Sequence, residues 1–309
     1  MAKAVDIKGK PYNRGLMIVL LLIGTFCTVL NQTILSTAFP TIMKAFSVST
    51  STVQWLTTGF LLVNGIMIPI SAWLSTRFNS KPLYMTAMVV FFIGTLVCYT
   101  APTFSFLLIG RLIQALGVGV TMPLLQTIML SIFPPDKRGT AMGLAGIVIG
   151  LAPAIGPTLS GWVIDNATWR DLFGMILPLL FIVVLGSFWF VKNVLPTKKS
   201  SIDILSIATS TIGFGSLLYG FSSVGDDGWG SAKVISTLII GVIFIGIFVW
   251  RQLKMKTPFL EFRVYKSTPF LVSAILSSIT MMAMVGVEMV IPLYLQIVKG
   301  MSAFESGLT

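Results

Sequence analysis

Long apolar runs alternate along the chain with short polar, mostly basic segments. A helix rises about 1.5 Å per residue, so about 20 apolar residues cross a hydrocarbon core about 30 Å thick. Nine runs meet that measure, at approximately 15–36, 53–76, 83–101, 104–132, 140–164, 171–191, 204–224, 233–250 and 270–297. The first follows Lys3, Lys8, Lys10 and Arg14, the flank of a secretory leader. Eight further runs succeed it, so it is read as the first span of an all-α polytopic membrane protein.

The loops orient the spans. With the N-terminus inside, alternate segments carry Lys3, Lys8, Lys10 and Arg14; Arg77 and Lys81; Lys137 and Arg138; Lys192, Lys198 and Lys199; and Arg251, Lys254, Lys256, Arg263 and Lys266. The opposite segments hold only Lys44, Arg170, Lys233 and Lys299. A four-to-one bias in strict alternation is the positive-inside pattern, and it predicts a cytoplasmic N-terminus. It also accounts for the net charge of +11 without a nucleic-acid partner.

Composition narrows the function classes. Of 309 residues, 55% are hydrophobic and 10% charged, against about 25% charged in a soluble domain. There is no His, which removes His-based metal sites and His-assisted nucleophilic catalysis. The two cysteines, Cys27 and Cys98, lie in apolar runs and make neither a disulfide scaffold nor a thiolate metal cluster. No metal, cofactor or catalytic residue is expected, and an enzyme is not. A membrane-embedded enzyme would need a paired-carboxylate site or an activated nucleophile, and neither is visible.

Polar residues inside the spans then carry the interest. A cation in mid-bilayer costs about 2.5–3.5 kcal/mol even on the lenient insertion scale, so Arg111 must face protein or water. It lies nine residues from Pro102, and Asn31 lies nine from Pro40; both are thus roughly 13 Å from the outer surface. Asn31, Gln32, Arg111 and Gln114 are expected to share a level, as a central polar cluster or a hydrogen-bonded knot fixing span one to span four. Gln126 is a further intramembrane polar group. Glu288 is read as a boundary residue near the outer interface, with a buried, proton-carrying position as the alternative. In span five, Gly146, Gly150, Pro153, Pro157 and Gly161 recur in steps of four and three, beside Gly156; this predicts a closely packed, bendable helix. The segment Gly300–Thr309 reads as a short outer loop and a helix start, with Ser302 as N-cap and Glu305 at capping-box spacing. The chain is therefore expected to be part of a longer protein, a short natural variant being the alternative.

Several segments, in order, resemble the major facilitator superfamily, in particular its fourteen-span drug/proton antiporter branch of the lincomycin-efflux type. Leu30-Asn31-Gln32-Thr33-Ile34-Leu35-Ser36-Thr37-Ala38-Phe39-Pro40 resembles the first-span motif, and Gln54-Trp55-Leu56-Thr57-Thr58-Gly59-Phe60 the start of the second span. Arg111-Leu112-Ile113-Gln114-Ala115-Leu116-Gly117 is similar to the fourth-span arginine motif. Gly150-Leu151-Ala152-Pro153-Ala154-Ile155-Gly156-Pro157 with Gly161 matches the fifth-span antiporter motif, and Trp169-Arg170-Asp171-Leu172-Phe173 and Pro292-Leu293-Tyr294-Leu295-Gln296 follow in place. Three positions depart from the pattern: Asn31 stands where an acidic residue is common, Ala115 where Gly is usual, and Thr76 where the loop between spans two and three usually has Asp. Arg77 and Lys81 keep the basic positions of that inner gating loop.

The resemblance implies alternating access between two six-span halves built from inverted repeats. It divides the chain into a six-span bundle (1–195), an inner linker with two extra spans (196–256), and the first span and start of the second of an incomplete C-terminal bundle (257–309). It implies a proton-coupled exporter of drugs or other amphipathic compounds in a bacterial plasma membrane, whose partners are a small amphipathic substrate, protons and membrane lipids. Export of a metabolite, bile acid or peptide, or a non-transporting truncated remnant, is the alternative.

Overall fold

The computed structural model describes residues 5–198, 203–256, 258 and 260–308; Lys3 and Lys199 of the inner-loop charge lie outside them. Among the described residues, nine helical stretches are long and apolar enough to cross a membrane, and no strand is present. The helices are α1 (Arg14–Thr33), α2 (Phe39–Phe46), α3 (Thr50–Arg77), α4 (Ser80–Tyr99), α5 (Phe104–Ile132), α6 (Arg138–Asn166), α7 (Asp171–Gly174), α8 (Leu177–Phe190), α9 (Ile204–Asp227), α10 (Ala232–Lys254), α11 (Thr268–Ile297) and α12 (Ala303–Leu308).

Local chemistry sets the ends. Asn13, Ser49, Thr103 and Asp203 each accept a backbone N–H of the first turn they precede, satisfying a donor the helix leaves orphaned. The expected first span stops early. Thr33 and Ser36 turn their hydroxyls back onto the carbonyls of Leu30 and Thr33, the chain makes a turn, and α2 follows with Pro40 in its first turn. The sixth span is likewise broken into α7 and α8, with Pro178 in the first turn of α8.

Helices α1 to α8 enclose one apolar core. Its most extensive contact joins α4 to α5, where a Cβ on Gly94 would lie 2.6 Å from the Gln114 backbone nitrogen and one on Gly117 2.5 Å from the Ala87 carbonyl. Side chains longer than hydrogen would force these backbones apart. At one end Ser80, Lys192 and Asn193 tie the start of α4 to the strap after α8. At the other, Phe46 packs on Phe104 and Trp169, and Arg170 stacks on Trp169 while donating to the Ala101 carbonyl at 2.9 Å.

Helices α9 and α10 form a hairpin on the flank of α3, with Trp55 against Tyr219. Arg251 clamps Asp203 with two hydrogen bonds of 2.9 and 3.0 Å. Helix α11 then runs nearly free, with Pro292 its one buried residue. It returns the chain to the bundle through α12, which lies along α6. The capping box forms as expected, Ser302 and Glu305 exchanging hydrogen bonds of 3.0 and 3.1 Å, and Asp165 accepts the backbone N–H of Ala303 and Phe304.

Candidate functional site

Arg111 is fully buried in α5, and none of the ion pairs among the described residues includes it. Its Nη1 donates to the Asn31 carbonyl at 3.2 Å, to the Asn31 side-chain oxygen, and to Gln114 Oε1 at 2.9 Å. Its Nε reaches the Leu56 carbonyl at 3.4 Å. The guanidinium also lies 4.3 Å over the Phe60 ring, a contact worth about 2 kcal/mol when desolvated. Gln114 in turn donates to Thr95 at 2.8 Å. Two donors, Arg111 Nη2 and Asn31 Nδ2, are buried without a partner. The charge is thus held by neutral oxygens and one aromatic face, an arrangement only the flat, five-donor guanidinium can fill.

Asn31, Arg111 and Gln114 therefore meet as the sequence leads one to expect. Thr95, Phe60 and the Leu56 carbonyl complete the knot, and sequence alone does not single them out. Gln32 is not part of it. It turns away from Arg111 into a cavity of about 30 Å³ that it shares with Ser36, Thr57 and Glu288. Gln126 is exposed and joins neither group.

Glu288 faces inward rather than toward the outer boundary. Its Oε1 is buried and unpartnered, and the residue also lines an adjoining cavity of about 430 Å³ between α6, α11 and α12. Pro153, Pro157 and Gly150 form one wall, Met284, Val287 and Ile291 another. Among the described residues, Glu288 is the only carboxylate that lines either space.

The small-residue face of α6 divides in two. Gly146 and Gly150 border open space, contrary to the close packing expected of the whole face. Close contact begins at Gly156, where a Cβ would meet Thr33 of α1, and continues at Gly161, where it would lie 2.3 Å from the Ala303 carbonyl and 2.6 Å from Phe304 Cα. Gly307 answers from α12, its position for a Cβ being 2.3 Å from the Pro157 carbonyl. Backbone meets backbone along this seam, with Thr158 donating to the Gly307 carbonyl at 2.7 Å. In the loop between α3 and α4, Arg77 is exposed. Lys81 donates to the Phe188 carbonyl at 2.6 Å, at the end of α8, and meets no carboxylate among the described residues. Cys27 and Cys98 are buried and unpaired, and the described residues contain no cluster of potential metal ligands.

Comparison with known proteins agrees with this architecture. The family model of the Major Facilitator Superfamily matches residues 21–309. The uncharacterized MFS-type transporter YcnB of Bacillus subtilis is 49% identical over 303 residues, covering 98% of this chain and 64% of that protein. The lincomycin resistance protein LmrB of Listeria innocua is 43% identical over 287 residues, covering 93% of this chain and 61% of that one. The chain thus spans about three-fifths of the length of these relatives. A solved POT family transporter in complex with a thioalcohol conjugated peptide aligns with a TM-score of 0.57 at 15% identity, covering 82% of this chain and 56% of that one; this likeness is one of fold. With nine helices among the described residues long and apolar enough to cross a membrane, and a family match over almost its whole length, the chain belongs to the major facilitator superfamily, among transporters that include lincomycin resistance proteins.

Proposed function

We propose that this chain supplies the first half, the two linking spans and the beginning of the second half of a proton-coupled exporter of amphipathic compounds. It sits in a bacterial plasma membrane with its N-terminus cytoplasmic. Residues 1–195 form one moving body, 196–256 the extra hairpin and 257–309 the start of the other. The observation that carries the reading is the buried Arg111, held by Asn31 and Gln114 at the heart of the bundle without a countercharge.

A permanent cation in a low-dielectric interior raises the energy of a second cation there. A cationic substrate therefore enters favourably only when Glu288 is ionised, and leaves when that carboxylate takes up a proton. One side chain then accepts either a proton or the substrate's charge, the requirement for exchanging them. The 30 Å³ space beside Glu288 and Gln32 has room for a single bridging water, a route for that proton. The larger cavity, with proline, methionine and aliphatic walls around one acid, suits an amphipathic cation, and relatives named for lincomycin and multidrug transport are consistent with such substrates. Arg77 and Lys81 belong to the inner gating loop, where Lys81 binds α3–α4 to α8.

The test is export by the full-length protein in everted vesicles, with a fluorescent amphipathic cation and with lincomycin. Arg111→Ala is expected to abolish export driven by a proton gradient while membrane insertion is kept. Unchanged export in that variant overturns the role given to Arg111.

A further inference from the structure

A second polar site lies at the end of the bundle where α1 and α6 begin. Tyr12, Arg14, Ser131, Phe133, Lys137 and Arg138 border a cavity of about 900 Å³ there. Three of these six side chains are cations, and none of the ion pairs among the described residues includes them. Asp136 belongs to the same turn but is exposed and does not line the cavity. Arg14 rests its guanidinium 5.5 Å from the centre of the Phe133 ring, and its Nε is buried without an acceptor. Arg138 spends its Nε on the Leu130 carbonyl at 3.0 Å, which fixes the guanidinium beside the opening. Uncompensated like charges around one space repel each other, and an orphaned buried donor is costly. An anion in the cavity relieves the repulsion and offers the Arg14 guanidinium an acceptor.

The geometry points to a binding site for a phosphate group, apart from the Arg111 knot and the Glu288 cavities. Guanidinium groups match a phosphate's oxygens with paired hydrogen bonds, and Lys137 adds a point charge. The amides that open α1 and α6 contribute partial positive charge at the same end. Two sources present this chemistry at a membrane surface: the headgroup of an anionic phospholipid, for which a basic pocket between helix ends is a suitable receptor, and free phosphate. The apolar faces of Ile132, Phe133 and Pro134 beside the cations favour the lipid, whose glycerol and upper acyl carbons would lie on them.

Native mass spectrometry of the purified chain in neutral detergent separates the cases. With phosphatidylglycerol and phosphatidylcholine at equal concentration, one phosphatidylglycerol is expected to be retained in preference. Arg14→Gln and Arg138→Gln should each weaken that retention about tenfold, as the loss of one charged hydrogen bond implies. Arg77→Gln, at the same end of the bundle but outside the cavity, should leave it unchanged. Retention of phosphatidylglycerol that millimolar inorganic phosphate does not displace assigns the site to lipid. Protection by inorganic phosphate with no preference between the two lipids assigns it to the free anion. Retention indifferent to Arg14→Gln and Arg138→Gln, in variants whose circular dichroism matches the parent, overturns the site.

Discussion

Arg111 shows how a polar group is made tolerable in an apolar bundle. Four carbonyl-type oxygens and an aromatic face replace its hydration shell, and two helices other than its own provide all but the Gln114 oxygen. Lysine would keep the charge but present a single point in place of a fork. Arg111→Lys is therefore expected to lose at least about tenfold in export, the equivalent of one charged hydrogen bond, with little change in expression; vesicle efflux rates check this. Glu288→Gln keeps shape and removes the exchangeable proton. It should end export driven by the proton gradient while binding of an uncharged substrate survives, as a filter-binding assay with lincomycin analogues of differing charge can measure. Sequence made Arg111 and Asn31 legible through depth alone, each counted from a proline at the outer end. It did not separate Asn31 from Gln32, because neighbours on a helix diverge by about 100° and apolar periodicity is weak where lipid and core are equally apolar. The inward turn of Glu288 was hidden for the same reason.

At the scale of elements, the apolar pattern gave every span to within a few residues, but it ran through two breaks. The turn before α2 and the joint between α7 and α8 are built from hydroxyl-to-carbonyl bonds and prolines, which hydropathy does not register. The small-residue spacing of α6 was visible, yet which of its glycines carry contacts depends on what lies opposite. Gly156→Val should push α1 from α6 and destabilise the bundle by about 1–3 kcal/mol, the usual range for overpacking, seen as a lower Tm in detergent; Gly146→Ala should change nothing measurable. The α9–α10 hairpin depends on an acid. Burial raises the Asp203 carboxyl, but hydrogen bonds from Arg251 and Ser206 outweigh it and leave the group below its ordinary value. That stabilisation is complete above the unfolded carboxylate value of about 3.9 and is lost as pH falls through the lower folded one. The parent should lose thermal stability on acidification below about pH 4, and Asp203→Asn should start lower at neutral pH and respond less.

For the whole molecule, topology makes the simplest prediction. With nine spans and the basic loops inside, a reporter at the N-terminus should be cytoplasmic and alkaline phosphatase fused after residue 309 should be active outside. A cytoplasmic reporter at both ends would overturn the orientation proposed from loop charge. The seam between α6 and α12 bears on how such a molecule moves. Interlocked leucines must change rotamer before two helices can shift, and each such change is a barrier. Where Gly161 and Gly307 bring bare main chain against main chain, there are no teeth to disengage, and sliding by a fraction of a turn breaks little beyond the Thr158 and Asp165 hydrogen bonds. Under the alternating access proposed above, a bearing surface of this kind would permit rocking without loosening the core on either side of it.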